Sequence, residues 1–560
     1  MSPPGGRPPA APEAGAPIGL SPARDRLVEA VQSALVSLGL EGAVPMQRPN
    51  RAEHGDWASP VALGLAKRAG RRPRDLAEDL AAAIRKDPPP HLEAVEVAGP
   101  GFLNFTLNAS WLHEELARVV RAGVDGYACP DLGQGETVQI EFVSANPTGP
   151  LHMGNGWLAS YGDSLARIMA RCGYRVSREY YVNDTGGQMR RLGESLLARH
   201  RGEEPPQDGY HGDYLVELAR SYDGPADVQA AGRWAAEQIL ASIRATLDRL
   251  DITFDEWKSQ ASIEEGGAVE ETIALLSERG LVYEQGGALW LRSTAYGDTR
   301  DRVLRKSADK GGDYTYLAGD LAYHRDKFLL RGFDRVINVW GADHQGQVPS
   351  LLAGVEALGV ERGRLEVEIG QMISLVEDGR SRHMSKRAGH FVTMDSVVER
   401  IGPEATRLLS LVSSIDQATT VDLGLLEKQN AENPVYYVQY AHARIASIGR
   451  VAAERGVRRR LISEVDLSLL THEREEAVLR ILSELPDTVV TACVERAPHK
   501  VTTWVRELAA RFHGFYHDCY VMGEGVAEEL TQARLWLVEG ARVGLAIGLG
   551  LLGVEAPESM

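Results

Sequence analysis

The chain has 560 residues, 44% of them hydrophobic, and a formal net charge of −17 at pH 7. That length exceeds one ordinary domain and the apolar share is ample for several cores, while the acidity counts against a generic polyanion binder. Four scattered cysteines without a Cys-x-x-Cys pair point to a reducing cytoplasm and away from structural zinc, and no stretch of about 18 apolar residues is read as a membrane span.

Residues 1–20 are rich in Pro, Gly and Ala and lack the basic-then-apolar layout of a secretion signal, so a disordered tail is expected. Residues 21–110 read as an α+β module. Ser21-Pro22 predicts an N-cap with proline at the first helical position and a helix to Leu38. A second helix is expected from Pro73 to Asp87. Glu93–Val97 and Phe102–Leu107, joined by Gly99-Pro100-Gly101, predict a hairpin. Trp57, in His54-Gly55-Asp56-Trp57-Ala58, can stack a base or anchor a core. Arg68 with Arg71, Arg72 and Arg74 forms a local basic patch, as do Arg325, Lys327 and Arg331, and Arg458–Arg460; each reads as a solvated face or a phosphate footprint.

A larger unit is expected over 130–422. The apolar run through Phe142 and Val143 predicts a strand, which Pro147, Gly149 and Pro150 stop. Leu158, Tyr161, Leu165 and Ile168 then recur at helical spacing, and Tyr174–Val182 starts a second strand, completing a βαβ unit. Its helix N-terminus favours anions: backbone N–H groups and the dipole's positive end face a polyphosphate, His152 supplies a donor, and Gly154 and Gly156 let a nucleotide approach. The polar turn Tyr180–Gln188 lies at the sheet's carboxyl edge, where doubly wound sheets hold ligands. A largely helical insertion without chemistry is expected over about 192–280, before strands resume at Ala288–Arg292 and Arg302–Lys306. Tyr316 and Asp320 share one side of a helical turn; Asp320 can take a guanidinium in a two-pronged pair while Tyr316 stacks on it. Val336–Trp340 leads into Gly341–Gln347, where Asp343-His344 lacks a second histidine at ligand spacing and is not read as a metal site. After an apolar strand over Glu366–Leu375 and an Asp378-Gly379 turn, His383–Gly389 forms a cationic loop in which Lys386 suits a pyrophosphate leaving group.

The remainder, 423–560, is expected to be all-α, with helices over Glu432–Ala453, Glu473–Leu485, Val501–Tyr520 and Leu530–Leu549. Asn433 can cap the first. Tyr437, Tyr440, Arg444 and Ser447 recur at three- and four-residue steps, which makes a core stripe or a stacking platform for unpaired bases. Phe512, Phe515 and Tyr516 are assigned to the core.

The segments around His152 and Lys386 together resemble the HIGH and KMSKS signatures of class I aminoacyl-tRNA synthetases. Ser144-Ala145-Asn146-Pro147-Thr148-Gly149-Pro150-Leu151-His152, Tyr181-Val182-Asn183-Asp184, Gly341-Ala342-Asp343-His344 and Asn433–His442 look like the arginyl-tRNA synthetases of bacterial type. The resemblance runs from Ser21 to Met560. It implies a doubly wound, Rossmann-like parallel sheet for the α/β catalytic domain, a tRNA-contacting N-terminal module and a helical anticodon-binding domain. Asp320, Tyr316 and Glu141 would then grip the substrate guanidinium, and Ser144, Asn146 and Gln347 the main-chain end. Asn155 would lie beside the substrate. His152, Gly154 and Gly156 would serve ATP, with Met384, Ser385 and Lys386 on its phosphates. Trp57, Tyr437, Tyr440 and Arg444 would touch tRNA. ATP with Mg²⁺ as its companion, L-arginine and tRNA(Arg) are the implied partners of a monomer with no membrane and no metal held by the protein. Activation would require bound tRNA. Asn155 replaces the second histidine of HIGH and His383 the first lysine of KMSKS, which leaves Lys386 most of the pyrophosphate charge. A small nucleotidyltransferase and a non-catalytic binding protein are the alternatives; the long helical C-terminus counts against the first and the retained His152, Gly154, Lys386, Asp320 and Tyr316 against the second.

Overall fold

The computed structural model describes residues 21–49, 51–371, 373–377, 380–381, 392–422 and 433–559. The expected tail and the His383–Gly389 loop lie outside these residues. The N-terminal module contains helices Pro22–Ser37 and Pro73–Lys86 and the strands β1 (Trp57–Ser59), β2 (Leu92–Ala98) and β3 (Phe102–Leu107), in the antiparallel order β1-β3-β2. Pro22 opens its helix as expected, but the Ser21 hydroxyl makes no cap and finds no partner among the described residues. Trp57 is only 1% exposed, with the Arg48 guanidinium lying 4.3 Å from its ring centre. It is a core anchor sealed by an arginine, and a base cannot reach it; the stacking role is corrected. Arg48 in turn donates to Asp487 at 3.0 Å and to the Ser483 carbonyl at 2.9 Å, tying the module to the C-terminal helices.

A helix over Ser110–Gly126, between the units expected from sequence, buries Trp111, Leu112 and Leu116. The Tyr127 hydroxyl beyond it donates to the Leu482 carbonyl at 2.9 Å.

Five parallel strands organise the next unit: β4 (Thr137–Glu141), β5 (Arg175–Val182), β6 (Glu256–Ser259), and, after a small antiparallel sheet of β7 (Val282–Gln285), β8 (Ala288–Leu291) and β9 (Arg302–Arg305), β10 (Arg335–Gly341) and β11 (Leu365–Gly370). Their order is β11-β10-β4-β5-β6. The chain leaves β4 toward β5 on one side and later returns through β10 on the other, so the carboxyl end of β4 is a topological switch point, the place where open sheets form a ligand crevice. β6 corrects the expected insertion: its sequence, Glu-Trp-Lys-Ser, carries no apolar run, yet it pairs with β5 and closes the sheet edge. Helices Gly186–His200, Asp213–Ser221 and Val228–Arg249 are the crossover that delivers it. Strands β12 (Ile373–Glu377), β13 (Arg380–Ser381) and β14 (Thr419–Asp422) make a third small sheet.

The C-terminal bundle comprises Pro434–Glu454, Glu473–Ser483, Leu485–Val494, His499–Asp518 and Glu528–Leu552. Asn433 caps the first by accepting from Val435 N at 3.0 Å. Leu485–Val494 was not expected as a separate helix; Pro486 occupies its first turn, where a missing N–H costs nothing. Glu528–Leu552 is long and apolar enough to cross a membrane by length and composition alone, although Glu539 and Arg542 interrupt its apolar run. Its apolar side chains are accounted for by burial: Leu535, Leu537, Val538, Leu545, Leu549 and Leu552 all lie in the bundle core.

Candidate active site

β4 ends in Glu141, and the next residues bend sharply. Val143 (φ 68°) and Ser144 (φ 38°) both adopt left-handed backbone, a strained arrangement for two successive residues with side chains and one that clusters at functional sites. The bend brings the Ser144 hydroxyl back to donate to Glu141 Oε1 at 3.0 Å while accepting from Tyr181 N at 3.1 Å on β5.

Strand register sets Asn338 of β10, Glu141 of β4 and Glu179 of β5 side by side. In parallel strands such neighbours share one sheet face, so three polar side chains line up across the buried sheet. All three are buried, and such groups need partners. The helix Tyr316–Arg325 and the wide π-turn Asp326–Leu330 that extends it supply them. Tyr316, Asp320, Tyr323, His324, Lys327 and Arg331 recur at three- and four-residue steps, and all but the exposed Tyr316 face the row. Lys327 Nζ donates to Glu141 Oε2 at 2.6 Å and to Asn338 Oδ1 at 3.1 Å. Asn338 Nδ2 sits 2.9 Å from His324 Nε2, and His324 Nδ1 lies 2.7 Å from the Asp320 carbonyl. Because an ammonium only donates, Asn338 must present its oxygen to Lys327 and its amide hydrogen to Nε2, which places the imidazole proton on Nδ1. Burial, with Lys327 nearby, lowers the His324 pKa to about 3, so this acceptor stays neutral. Arg331 donates to Glu179 Oε1 at 3.0 Å, and Tyr323 also donates to that carboxylate; burial works against its charge, but these partners hold its pKa below the ordinary value.

Asp320 differs from its neighbours. Among the described residues no hydrogen bond or ion pair engages its carboxylate, and burial, reinforced by Glu141, raises its pKa to about 7 despite Lys327. It stands beside Tyr181, whose own ionisation is opposed first by burial and then by Asp320 and Glu141. Tyr181 is stacked on Tyr323 at 4.4 Å. Tyr316, one turn before Asp320, is 78% exposed. The result is a carboxylate unpaired among the described residues beside the stacked Tyr181 and Tyr323 rings, a slot suited to a planar cation.

His152 caps the helix Met153–Arg171. Its Nδ1 accepts from Asn155 N at 3.2 Å, and Asn155 Oδ1 accepts from His152 N at 3.3 Å. The asparagine that departs from the HIGH pattern therefore completes a reciprocal cap. A Cβ on Gly154 would come within 3.1 Å of the His152 ring, whereas one on Gly156 would fall 2.2 Å from Met394 Sδ. Gly156 is accordingly needed for packing against the helix Met394–Ile401, and its nucleotide-approach role is corrected. Asn146 is partly buried on the loop after β4, and Gln347 is exposed at the end of the 3₁₀ turn Ala342–Gln347 beyond β10.

Lys386, Met384 and Ser385 lie outside the described residues. The chain that follows them is anchored at His152 all the same: Met394 N donates to the Leu151 carbonyl at 2.8 Å, Met153 N to the Val392 carbonyl at 3.4 Å, and Thr393 bridges His152. Lys386 precedes Val392 by six residues, a tether of about 20 Å at full extension.

Most arginines of the basic patches are paired with carboxylates of the protein. Arg71 meets Asp79 at 2.5 Å, Arg72 Asp75 at 2.8 Å, Arg325 Glu271 at 3.0 Å, Arg459 Glu539 at 2.9 Å and Arg460 Glu529 at 2.6 Å. Lys327 is fully buried. Lys327 and Arg331 serve the buried row while Arg325 pairs with Glu271, so the triplet is not a phosphate footprint. In the bundle, Tyr437 packs on His513 at 4.5 Å, while Arg444 lies 4.4 Å from the Tyr440 ring and 4.2 Å from that of Tyr516. Phe512 and Phe515 are fully buried, but Tyr516 is 42% exposed beside Tyr440, which corrects its assignment to the core. No group of three or more His, Cys, Asp or Glu able to hold a metal occurs among the described residues. Asp343 and His344 are exposed, and Asp184 is occupied in accepting from Ala261 N at 2.9 Å and Ser259 Oγ at 2.6 Å.

Lys327, His324, Asn338 and Glu179 were not singled out from sequence as site residues. For the first two a signal existed, since the Tyr316–Asp320 step continues unbroken through His324, Lys327 and Arg331.

Three family models match the chain: an arginyl tRNA synthetase N terminal domain over residues 24–107, a class I (R) tRNA synthetase catalytic domain over 213–433 and a DALR anticodon binding domain over 438–560. An arginine–tRNA ligase of Bacillus subtilis is 40% identical over 558 residues, covering 96% of this chain and 99% of its own. An arginine–tRNA ligase 1 of Halalkalibacterium halodurans is 41% identical over 556 residues, covering 96% and 98%. Among solved structures, the Thermus thermophilus arginyl-tRNA synthetase aligns over 96% of this chain and 100% of its own, with a TM-score of 0.77 at 24% identity, a likeness of fold.

Proposed function

The chain belongs to the arginyl-tRNA synthetases, enzymes that join arginine to tRNA at the expense of ATP, and from that premise we propose how its residues divide the work. The single observation that carries the reading is the unpaired Asp320 carboxylate in an aromatic slot at the same sheet edge as the His152 helix start.

The arginine guanidinium enters this slot and pairs with Asp320, with Tyr316 covering it and Glu141 lining the floor. Ser144, Asn146, Asn155 and Gln347 hold the amino-acid end near the switch point. ATP lies across the start of Met153–Arg171, where His152 and the backbone at Gly154 meet its phosphates; Mg²⁺ arrives with it as part of the substrate. One arginine carboxylate oxygen attacks the α-phosphorus in line, the bond to the β-phosphate oxygen breaks, and pyrophosphate leaves with its charge balanced by Lys386. The 3′-terminal ribose of tRNA(Arg) then takes the arginyl group from the adenylate, releasing AMP. Positioning and preorganised charge do the chemistry; no covalent intermediate with the enzyme is needed.

Residues 21–110 are the tRNA-contacting module, 130–422 the catalytic unit and 423–560 the anticodon-binding domain. Tyr440 and Arg444, with Tyr437 behind them, offer an exposed stacking surface to unpaired bases. The enzyme works in the cytoplasm as a monomer.

Charging of labelled arginine onto total tRNA tests the reading. Acid-precipitable arginine should accumulate only with ATP present, and lysine should not replace it. Accumulation of a different amino acid, or none, contradicts it. Pyrophosphate exchange should appear only when tRNA is added.

A further inference from the structure

On the reading that the slot takes the arginine side chain, we infer that Lys327 is a positioning residue for the substrate cation: it cancels one of the slot's two carboxylates, fixes Glu141 in place and leaves Asp320 as the ion-pair partner of the guanidinium.

The geometry leaves Lys327 no freedom. It is fully buried. Its ammonium bonds Glu141 Oε2 at 2.6 Å and Asn338 Oδ1 at 3.1 Å, and sits 4.1 Å from the Tyr323 ring centre, so its three donors all have protein partners. Glu141 is equally committed, since its other oxygen accepts from Ser144 at 3.0 Å. The Asp320 carboxylate accepts nothing among the described residues; only its backbone carbonyl is engaged, by His324 Nδ1 at 2.7 Å. The groups facing Asp320 are Glu141 from β4, Tyr181 from β5, Lys327 from the wide turn and His324 on its own helix, the last held neutral. With Tyr181 and His324 uncharged, Asp320 and Glu141 against Lys327 leave one negative charge for one incoming cation. Two uncompensated carboxylates would instead compete for a proton.

This arrangement makes an unusual demand of mutants. Glu141→Gln removes the counter-charge and leaves a buried ammonium facing the incoming guanidinium. The KM for arginine should rise about 100-fold, with the KM for ATP and kcat within about threefold of wild type. Glu141→Gln with Lys327→Met removes both members of the pair and should bring the arginine KM back to within about tenfold of wild type, because deleting a buried pair costs less than orphaning one partner. Recovery of the arginine KM in the double variant with a Tm no higher than that of Glu141→Gln is a result that a purely structural role for Lys327 does not produce. A double variant no better than Glu141→Gln overturns the inference and makes Glu141 itself the indispensable contact. Thermal unfolding of each variant accompanies the kinetics. Should Glu141→Gln fail to fold, the double variant is set against Asp320→Asn: arginine binding retained within about tenfold supports the role, and a loss as large as that of Asp320→Asn overturns it. Wild-type enzyme that fails to charge arginine in the same assay contradicts the underlying function, independently of Lys327.

Discussion

Replacing Asp320 with asparagine should raise the KM for arginine by at least about 100-fold at about pH 8, because the guanidinium then enters a slot whose remaining carboxylate is already neutralised by Lys327. The effect has a pH signature. In the wild type, burial and Glu141 raise the Asp320 pKa to about 7, so protonation below that point removes the charge the substrate seeks. The arginine KM should therefore climb about tenfold for each pH unit below about 7 in the wild type and stay nearly flat over that range in Asp320→Asn. Steady-state kinetics at saturating ATP and tRNA across about pH 5.5 to 8.5 measure both. An asparagine variant with the wild-type KM, or one that keeps the acid limb, contradicts the assignment. The group's own stability contribution has the opposite sense to that of a salt-bridged aspartate: its folded pKa lies above the unfolded value of 3.8, so the folded state binds the extra proton and loses stability as pH rises from about 4 to about 7. Bound arginine offsets that loss.

Lys386→Ala should slow arginine activation by about 10²–10³-fold while leaving the arginine KM within about threefold. The reason lies in the neighbouring substitution. Where the signature has a first lysine this chain has His383, and an ordinary histidine is largely uncharged at neutral pH. One lysine then carries the charge that two would share as pyrophosphate departs. Pre-steady-state adenylate formation with tRNA present measures the effect; a rate within about twofold of wild type rules the role out.

What the sequence disclosed and what it withheld follow from the range of the interactions. The βαβ unit was legible because proline, glycine and helical periodicity act over a few residues: Pro150 stops the segment after β4, and Leu158, Tyr161, Leu165 and Ile168 mark the face of Met153–Arg171. Asp320 and Tyr316 could be picked out because one helical turn relates them. β6 could not, since Glu-Trp-Lys-Ser becomes a strand only by pairing with β5. Trp57 stayed open between platform and core anchor because the arginine that seals it belongs to a different segment. Gly156 looked like a gap left for a nucleotide because nothing local announces that Met394, more than two hundred residues away, fills it. Lys327 was grouped with Arg325 and Arg331 as a basic patch, which is how three nearby cations read before the sheet beneath them is known. The buried row of Asn338, Glu141 and Glu179 is a product of strand register and has no one-dimensional signal at all.

The claim on which the rest depends is that the cation slot at Asp320 and the helix start at His152 serve one substrate molecule. A structure of the enzyme with a non-hydrolysable arginyl-adenylate analogue measures this directly. The guanidinium should lie in hydrogen-bond contact with Asp320, with Lys327 still on Glu141, and the phosphate surrogate should rest against the first turn of Met153–Arg171. A guanidinium bound away from Asp320, or an adenylate that does not meet the His152 turn, contradicts the account.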